Sequence, residues 1–556
     1  MSAAARQRVA VVTGGAGGIG ASIAESLGRE GWYVVTLDPM VTLDGTEQLA
    51  ELEDSTVARI VAAGGSGRAS NASVTDAVAV RVLFEELVSE RGGLDAVVNV
   101  AGITRQSYFA RGTEEDWVVL LNVHLGGWLN VLEAALPLMA VAGHGRILGV
   151  TSGSGWRAAD AGGYSAAKRA VAALTWQLGR TAPAGVTINA LSPIANTRMV
   201  QAALERARAE GRAGGGGGLS LDAIPGPENL GPLAAYLVSD EAGWCSGQVF
   251  FAGGPEVAVV DQPHLVEVVR TDGVGSLPAV LESVVPRAFV TAEAKQATEG
   301  GANPRFGSIF DAVSPAGSEA GPVSGDVRTC AVVSERAELT PALVSALEAR
   351  SIACHKVEPA ARNFHGAARA LHAAAQVAGP IDAVVVALAG NPAGPSAPTA
   401  WQGVLADRRG LIEHLHADAA WSRAASDYAA DSDHAVRLVT LTDATPPAGP
   451  SRAQAAAQIA RVAADATRGQ VTALAVGIES ASADAAEQTG ELVGHLLGHP
   501  DSSAGLAGAE LVVGPGWIGL RAHPRPIGTV VYGGPAVPGW VDGALREIVR
   551  APAEAS

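Results

Sequence analysis

Short apolar runs alternate with longer amphipathic stretches from residue 8 to residue 260. The runs are rich in Val, Ile and Leu and show no regular polar alternation, which is typical of parallel strands that are buried on both faces. Six strands are predicted, with the sequences RVAVVT, YVVTLD, LDAVVNV, RILGVTS, VTINALS and GQVFFAG. Helices between them would cover both faces of the sheet, so the pattern predicts a doubly wound α/β unit.

The same alternation starts again after residue 326. Its runs are VRTCAVVS, IACHKVEP, IDAVVVALAG, VRLVTLTD, VTALAVG and GAELVVGPG, in the same order and with similar spacing. The stretch 434–477 also repeats the strand, loop, helix and strand of 144–193. Self-similarity over roughly 200 residues indicates a domain duplication rather than a short-period repeat. The predicted fold is therefore α/β, with two doubly wound parallel-sheet domains in tandem.

Residues 262–326 break the alternation and end in DAVSPAGSEAGPVSGD, a Pro-, Gly- and Ser-rich sequence that is typical of a linker. The predicted boundaries are 1–261 for the first domain, 262–326 for an extension and linker, 327–523 for the second domain and 524–556 for a C-terminal tail.

The length, the net charge and the interruptions in the apolar runs disfavour several kinds of partner and location. A chain of 556 residues is too long for one ordinary core. Its net charge of −17 disfavours nucleic acid and anionic membranes as partners. Charged and turn residues interrupt each apolar run, so no membrane span is expected.

The cysteines and the N-terminal sequence indicate the cellular compartment of the protein. The cysteines are Cys245, Cys330 and Cys354, with no CxxC spacing, which indicates neither a disulfide framework nor a metal site. Cys245 is interpreted as a core residue. The chain enters a strand by Val9, which leaves no room for a signal peptide. A cytoplasmic location is expected.

A glycine loop lies between the first strand and the first helix, in VAVVTGGAGGIGASIAESL. Gly14, Gly18 and Gly20 would let the backbone approach a pyrophosphate, and the helix start at Ile19 offers free N–H groups. Asp38 ends the second strand, where a carboxylate can accept hydrogen bonds from ribose hydroxyls and repel a 2′-phosphate. No Arg stands at Ala16 or Pro39, so NAD is predicted in preference to NADP.

Tyr164 and Lys168 stand four residues apart in YSAAK and share one face of a predicted helix. A phenol is a poor base at neutral pH, but a neighbouring ammonium favours the phenolate and would lower the pKa of Tyr164. Tyr164 is therefore a candidate general base.

Residues 8–260 resemble the short-chain dehydrogenases/reductases, a Rossmann-like family, through TGGAGGIG, Asp38, NVAG, TSGSG, YSAAK and SPIANTRM. The resemblance implies that Tyr164 exchanges a proton with the substrate oxygen, that Ser152 hydrogen-bonds the same oxygen, and that Lys168 holds the nicotinamide ribose. It implies hydride transfer between a carbinol carbon and the nicotinamide. It also implies cofactor contacts from the following residues: Gly14, Gly18, Ile19, Gly20, Asp38, Ser73, Val74, Asn99, Ala101, Gly102, Tyr164, Lys168, Pro193 and Thr197. Thr197 would meet the carboxamide, and Asn99 is expected to pin its strand rather than to touch substrate.

Two positions depart from the family pattern. Ser152 precedes Tyr164 by 12 residues where the family usually has 13, and Ser154 is the alternative serine. His124 stands where a catalytic Asn is usual, and Asn122 would face elsewhere on the helix. His124 either anchors a water in the proton relay or is a buried histidine bonded to backbone.

His124, SPIANTRM and GGPEVAVVDQP resemble the branch of (3R)-hydroxyacyl-CoA and type 4 17β-hydroxysteroid dehydrogenases. A secondary alcohol of hydroxyacyl-CoA or hydroxysteroid type is therefore the expected substrate. The alternatives are a reductase of generic small ketones and a non-catalytic NAD-sensing scaffold. The glycine-rich stretch 206–226 is either a mobile substrate lid or an insertion.

The second copy lacks the residues that chemistry would need. Its counterpart of the glycine loop reads VVSERAELTPALVSAL, Asp443 stands for Ser152, and Arg408 stands for His124. No Tyr-x-x-x-Lys occurs there, so NAD is not expected to bind. The resemblance implies that this copy supplies, within one chain, the surface that family members use to assemble. A homodimer would then imitate a tetramer of four domains. The alternative is a ligand site of its own.

Overall fold

The computed structural model describes residues 6–50, 55–105, 109–157, 161–209, 224–271, 277–289, 327–358, 360–390, 397–408, 410–467, 469–499, 503 and 505–554. Residues 210–223 of the predicted lid and 290–326 of the predicted linker lie outside these ranges.

The first sheet contains nine strands among the described residues, in the order β17-β8-β7-β6-β5-β4-β1-β2-β3. Their bounds are β1 Val9–Thr13, β2 Tyr33–Leu37, β3 Ser66–Ser70, β4 Ala96–Asn99, β5 Gly145–Val150, β6 Val186–Ile194, β7 Val249–Gly253, β8 Glu256–Val260 and β17 Pro526–Val531. Pairing from β3 to β7 is parallel, whereas β8 and β17 are antiparallel to their neighbours. The carboxyl ends of β1, β4, β5 and β6 therefore open on one edge of the sheet, which is where doubly wound folds bind ligands.

The second sheet has the order β11-β10-β12-β13-β14-β15-β16-β9 within the described part of the chain. Its strands are β9 Leu265–Arg270, β10 Thr329–Ser334, β11 Ala353–Lys356, β12 Ala383–Ala387, β13 Val436–Asp443, β14 Val471–Ile478, β15 Glu510–Gly514 and β16 Trp517–Arg521. From β11 to β16 the order matches that from β2 to β8 in the first sheet, with no counterpart of β3 among the described residues. The α/β prediction is confirmed, and each of the 12 predicted apolar runs contains a strand.

Helices cover both faces of each sheet. In the first half they are α1 Gly18–Arg29, α2 Thr56–Ala62, α3 Ala77–Arg91, α4 Glu114–Leu121, α5 Gly127–Ala142, α6 Gly162–Thr181, α7 Arg198–Ala209, α8 Gly231–Leu237 and α9 Leu277–Ala288. In the second half they are α10 Thr340–Glu348, α11 Phe364–Ala378, α12 Ala400–Asp407, α13 Leu411–Ser432, α14 Gly449–Ala466, α15 Ala483–Gly498 and α16 Trp540–Glu554. A π-helical segment, Asn122–Gly126, joins α4 to α5.

The two sheets exchange their outermost strands. β9 follows the first sheet along the chain but pairs with β16, and β17 follows the second sheet but pairs with β8. α16 then packs on the first half, where Val541 and Leu545 are fully buried. The segments predicted as an extension and a tail thus contain structure that completes the opposite half. Each of these strands adds its backbone hydrogen bonds to a sheet edge that would otherwise stay open.

The halves also share one hydrophobic core. Buried side chains of α5 and α6 form a single cluster with those of α13 and α14, including Trp128, Leu129, Trp421 and Ile459. α6 carries Tyr164 and Lys168, and it packs along α14 of the second half.

One helical stretch, Glu114–Ala142, is apolar enough to cross a membrane by length and composition, with a mean hydropathy of 1.5. The expected interruption of this run by charged and turn residues is not seen, because the helical structure continues through Gly126 and Pro137. More than half of its most apolar window is buried inside the protein, a property that core helices share.

Candidate active site

A cavity of about 870 Å³ opens at the carboxyl ends of the first sheet's parallel strands. Its wall brings together nearly all the residues predicted for the site: Gly14, Gly18, Ile19, Gly20, Asp38, Ser73, Val74, Ala101, Gly102, His124, Ser152, Tyr164, Lys168, Pro193 and Thr197. Asn99 is not on the wall. Its side-chain oxygen accepts a 2.8 Å hydrogen bond from the Thr13 hydroxyl, so it ties β1 to β4, and its contact with a cofactor stays a prediction.

In the glycine loop between β1 and α1, the positions of Gly14 and Gly20 have no room for side chains. A Cβ atom on Gly20 would lie 2.1 Å from the carbonyl oxygen of Gly14, and one on Gly14 would lie 2.9 Å from the Cα of Ala101. Gly14 and Gly18 have φ angles of +65° and +54°, which glycine adopts without strain. No described side chain caps α1, and its first residues, Gly18, Ile19 and Gly20, line the cavity. This cradle fits a pyrophosphate.

Asp38 follows β2 and is held by backbone amides. Its carboxylate accepts hydrogen bonds from the N–H of Ala16 at 3.1 Å and the N–H of Met40 at 2.9 Å. Each carboxylate oxygen keeps a further lone pair, so the group can still accept hydrogen bonds from a diol.

The polar residues Ser152, Tyr164 and Lys168 meet at the end of β5. Ser152 hydrogen-bonds Tyr164, and the Ser152 Oγ also accepts from the N–H of Ser154 at 3.3 Å. The Lys168 Nζ donates to the carbonyl of Val150 at 2.7 Å and lies 5.6 Å from the centre of the Tyr164 ring. Ser154 is not on the cavity wall, so Ser152 is the serine that the fold places beside Tyr164.

The pKa of Tyr164 differs from the sequence-based expectation. Burial raises it above the usual value, and the hydrogen bond with Ser152 offsets only part of this effect. Burial also lowers the pKa of Lys168 to about 7. The predicted lowering of the Tyr164 pKa is therefore not found, because desolvation of the phenolate outweighs the hydrogen bond with Ser152.

His124 lies in the π-helical segment between α4 and α5, and its side chain is 2 % exposed. Its Nε2 is 2.9 Å from the carbonyl oxygen of Ile103, and its ring meets the Tyr164 ring edge-on at 4.9 Å between centres. A Cβ on Gly102 would lie 2.5 Å from the His124 ring. Burial, followed by the charge of Lys168, holds the pKa of His124 well below its usual value, so the ring is neutral at pH 7. Nδ1 has no hydrogen-bond partner among the described residues.

The sequence analysis missed two parts of the wall. Residues 40–43, 45, 49 and 50 lie on the wall, and their segment is anchored where the Thr104 N–H donates to the Leu43 carbonyl at 2.7 Å. Arg198 begins α7, and its guanidinium is 3.1 Å from the point where a Gly17 Cβ would lie. Its place directly after Thr197 is the signal that could have identified it.

In the second half, charged side chains stand where the first half has its glycine loop. Glu335 follows β10; its carboxylate accepts from the N–H of Ala389 at 2.9 Å and pairs with Arg362. Asp443, predicted at the place of Ser152, accepts a hydrogen bond from the Thr445 hydroxyl at 2.6 Å. Arg408, predicted at the place of His124, pairs with Glu133 of the first half.

Comparison with known proteins finds the short chain dehydrogenase family over residues 8–208. The short-chain reductase protein NovJ of Streptomyces niveus is 33% identical over 45% of this chain and 95% of its own length. The acetoacetyl-CoA reductase of Cupriavidus necator is 31% identical over 45% of this chain and 97% of its own length. The hydroxyacyl-CoA dehydrogenase ChsB1 of Mycobacterium tuberculosis is 31% identical over 52% of this chain and 90% of its own length. The chain belongs to the short-chain dehydrogenase/reductase family and is an oxidoreductase that acts on hydroxyl or keto groups.

Proposed function

We propose that this protein is an NAD-dependent oxidoreductase that interconverts a secondary alcohol and a ketone by hydride transfer. The observation that carries the proposal is the meeting of Ser152, Tyr164 and Lys168 on the wall of a cavity whose other end holds the glycine loop and Asp38.

The residues around the cavity fit a dinucleotide. The glycine cradle and the start of α1 would hold the pyrophosphate, and Asp38 would accept hydrogen bonds from the adenosine ribose. The same carboxylate would repel a 2′-phosphate, which favours NAD over NADP. Ser73, Val74, Pro193 and Thr197 would line the bound cofactor. When bound, the nicotinamide supplies the hydride acceptor or donor.

The chain's own residues would handle the proton. In the oxidative direction the Tyr164 oxygen takes the proton of the substrate hydroxyl, and Ser152 donates a hydrogen bond to the same substrate oxygen. In the reductive direction Tyr164 returns that proton. A protonated Lys168 favours the phenolate of Tyr164, and the free Nδ1 of His124 can bind a water near the pair.

The proposed substrate is of hydroxyacyl-CoA or hydroxysteroid type. Two relatives that share 31% identity with this chain are named for acyl-CoA substrates. A generic small ketone is the alternative, and the specificity for bulky thioesters or sterols distinguishes the two.

The second half is proposed to be a degenerate copy of the first that binds no NAD. Its matching strand order supports a shared origin, and the Glu335–Arg362 pair fills the place of the glycine loop. A homodimer is also proposed. Exposed apolar side chains on the two exchanged edge strands, among them Val268 and Val531, support contact with a second copy of the chain. Light scattering coupled to gel filtration tests it.

The proposed function is tested by following NADH absorbance with a panel of 3-hydroxyacyl-CoAs, hydroxysteroids and simple secondary alcohols, each offered with NAD and with NADP. Turnover with NAD on one of the first two classes is expected. A higher kcat/KM with NADP would contradict the cofactor assignment, and activity confined to simple alcohols would contradict the substrate assignment.

A further inference from the structure

The loop that carries Ser152 has an irregular backbone. After β5 the chain makes a short 3-10 turn, in which the N–H of Gly155 donates to the Ser152 carbonyl at 2.9 Å. A Cβ on Gly155 would lie 2.7 Å from the carbonyl carbon of Lys168, so the loop is pressed against α6. Trp156 and Arg157, the last residues described before position 158, are only 3% and 7% exposed.

Donors from the second half satisfy the outward-facing carbonyls of this loop. The Gln458 Nε2 donates to the carbonyl of Ser154 at 3.1 Å and to that of Arg157 at 2.7 Å. The Arg461 Nη1 donates to the carbonyl of Trp156 at 3.0 Å. Gln458 and Arg461 are one turn apart on α14, and both are buried.

We propose that Gln458 and Arg461 are positioning residues for catalysis. The loop belongs to no strand or α-helix, so its buried carbonyls must find donors elsewhere, and the three described above find them on α14. The Gln458 amide bonds the carbonyls of both Ser154 and Arg157, and this pair of hydrogen bonds fixes the curvature of the loop. That curvature sets where the Ser152 oxygen lies relative to Tyr164. The second half, which lacks catalytic residues of its own, thus holds the serine of the first half in place.

This inference rests on the proposed function for its catalytic consequence, but not for the loop geometry itself. Other buried polar contacts join α6 and α14, including the Arg169–Gln454 pair. The loss of the Gln458 amide alone should therefore leave the halves together and loosen only the loop.

The chain offers a matched control. Gln177, on α6, makes the reciprocal contact: its Nε2 donates to the carbonyl of Pro447, and its Oε1 accepts from Ser451 at 3.0 Å. Pro447 lies in the loop after β13, which carries no predicted catalytic group. Each variant thus removes one glutamine amide from the contact of α6 with α14. Gln458→Met frees the loop that carries Ser152, and Gln177→Met frees the loop that carries Pro447.

The experiment measures kcat, the Kd for NADH, and amide hydrogen exchange by mass spectrometry in the full chain. Gln458→Met should lower kcat by about tenfold or more, since small misplacements of a reacting group are costly, while the Kd for NADH stays unchanged. Exchange should quicken in residues 153–157. Gln177→Met should quicken exchange in residues 444–448 and leave kcat unchanged.

Two results would overturn the inference: wild-type exchange in residues 153–157 of Gln458→Met, or an equal loss of kcat in both variants. If the wild type turns over no substrate, the proposed function fails, and the exchange data still decide whether α14 positions the loop. Should Gln458→Met fail to fold, Arg461→Lys removes the planar guanidinium fork from the same loop and is judged by the same readouts.

Discussion

Arg169 and Gln454 are joined by two buried hydrogen bonds across the contact of α6 with α14, at 2.9 and 2.5 Å. Gln454 in turn donates to both carboxylate oxygens of Glu510 at 2.6 Å. Arg169 directly follows Lys168, so this network ties the helix of the active site to the second sheet.

Arg169→Met should destabilise the protein by about 2–4 kcal/mol, because Glu510 would keep a buried charge with Arg521 as its remaining close cation. Urea denaturation followed by tryptophan fluorescence measures this loss. Adding Glu510→Gln should recover part of the stability. If the double variant is less stable than Arg169→Met, the charge is not the cause.

Asp38→Asn should raise the ratio of kcat/KM with NADP to that with NAD by about tenfold, because it removes the charge that repels a 2′-phosphate. Asp44→Asn is the control, since that carboxylate bonds Thr42 and Thr46 within its own loop and is not on the cavity wall. If Asp38→Asn leaves the ratio of kcat/KM with NADP to that with NAD unchanged, Asp38 does not contact the adenosine ribose.

The raised pKa of Tyr164 sets the direction of the pH dependence. A group whose pKa is raised stays protonated to higher pH, so it remains a competent acid at neutral pH and becomes a base only as the pH rises. Alcohol oxidation should therefore accelerate with rising pH throughout the range below the ordinary phenol pKa of about 10, whereas ketone reduction should not. Steady-state rates at saturating cofactor measure this, and an oxidation rate independent of pH would rule Tyr164 out as the titrating base.

The packing of α16 on the first half should contribute to the stability of the protein at a place far from the cavity. Asp542 of α16 accepts hydrogen bonds from Tyr236 at 2.6 Å and Trp244 at 2.8 Å. Asp542→Ala should cost about 1–3 kcal/mol, because it leaves these donors without their acceptor, and should not change kcat. Glu547→Ala, at an exposed position of the same helix, is the control for thermal denaturation. Equal stability of the two variants would mean that α16 contributes little to the first half.

The sequence predicts the parallel strands because each is a continuous apolar run flanked by turn residues. It does not reveal β3, whose sequence SGRAS has no apolar run, or the partners of β9 and β17. Those two strands are largely exposed edge strands, and their pairing depends on contacts between residues more than 200 positions apart.

The site residues could be predicted where the spacing of a motif determines their position. They could not be predicted where their position depends on how helices pack. Gly14, Tyr164 and Lys168 lie where their motifs place them. Arg198 could be suspected from its place directly after Thr197, but its approach to Gly17 depends on how α7 packs, which spacing does not show. The direction of the Tyr164 pKa was missed because burial, rather than the nearby amine, dominates it.

The central claim is that Tyr164 carries the chemistry of the first half. It is tested most directly by comparing wild type with Tyr164→Phe for NADH formation on the best substrate of the panel, with NAD affinity measured by fluorescence titration. Tyr164→Phe should lose about 10²–10⁴-fold in kcat and bind NAD as wild type does. Equal turnover in the two proteins would contradict the account.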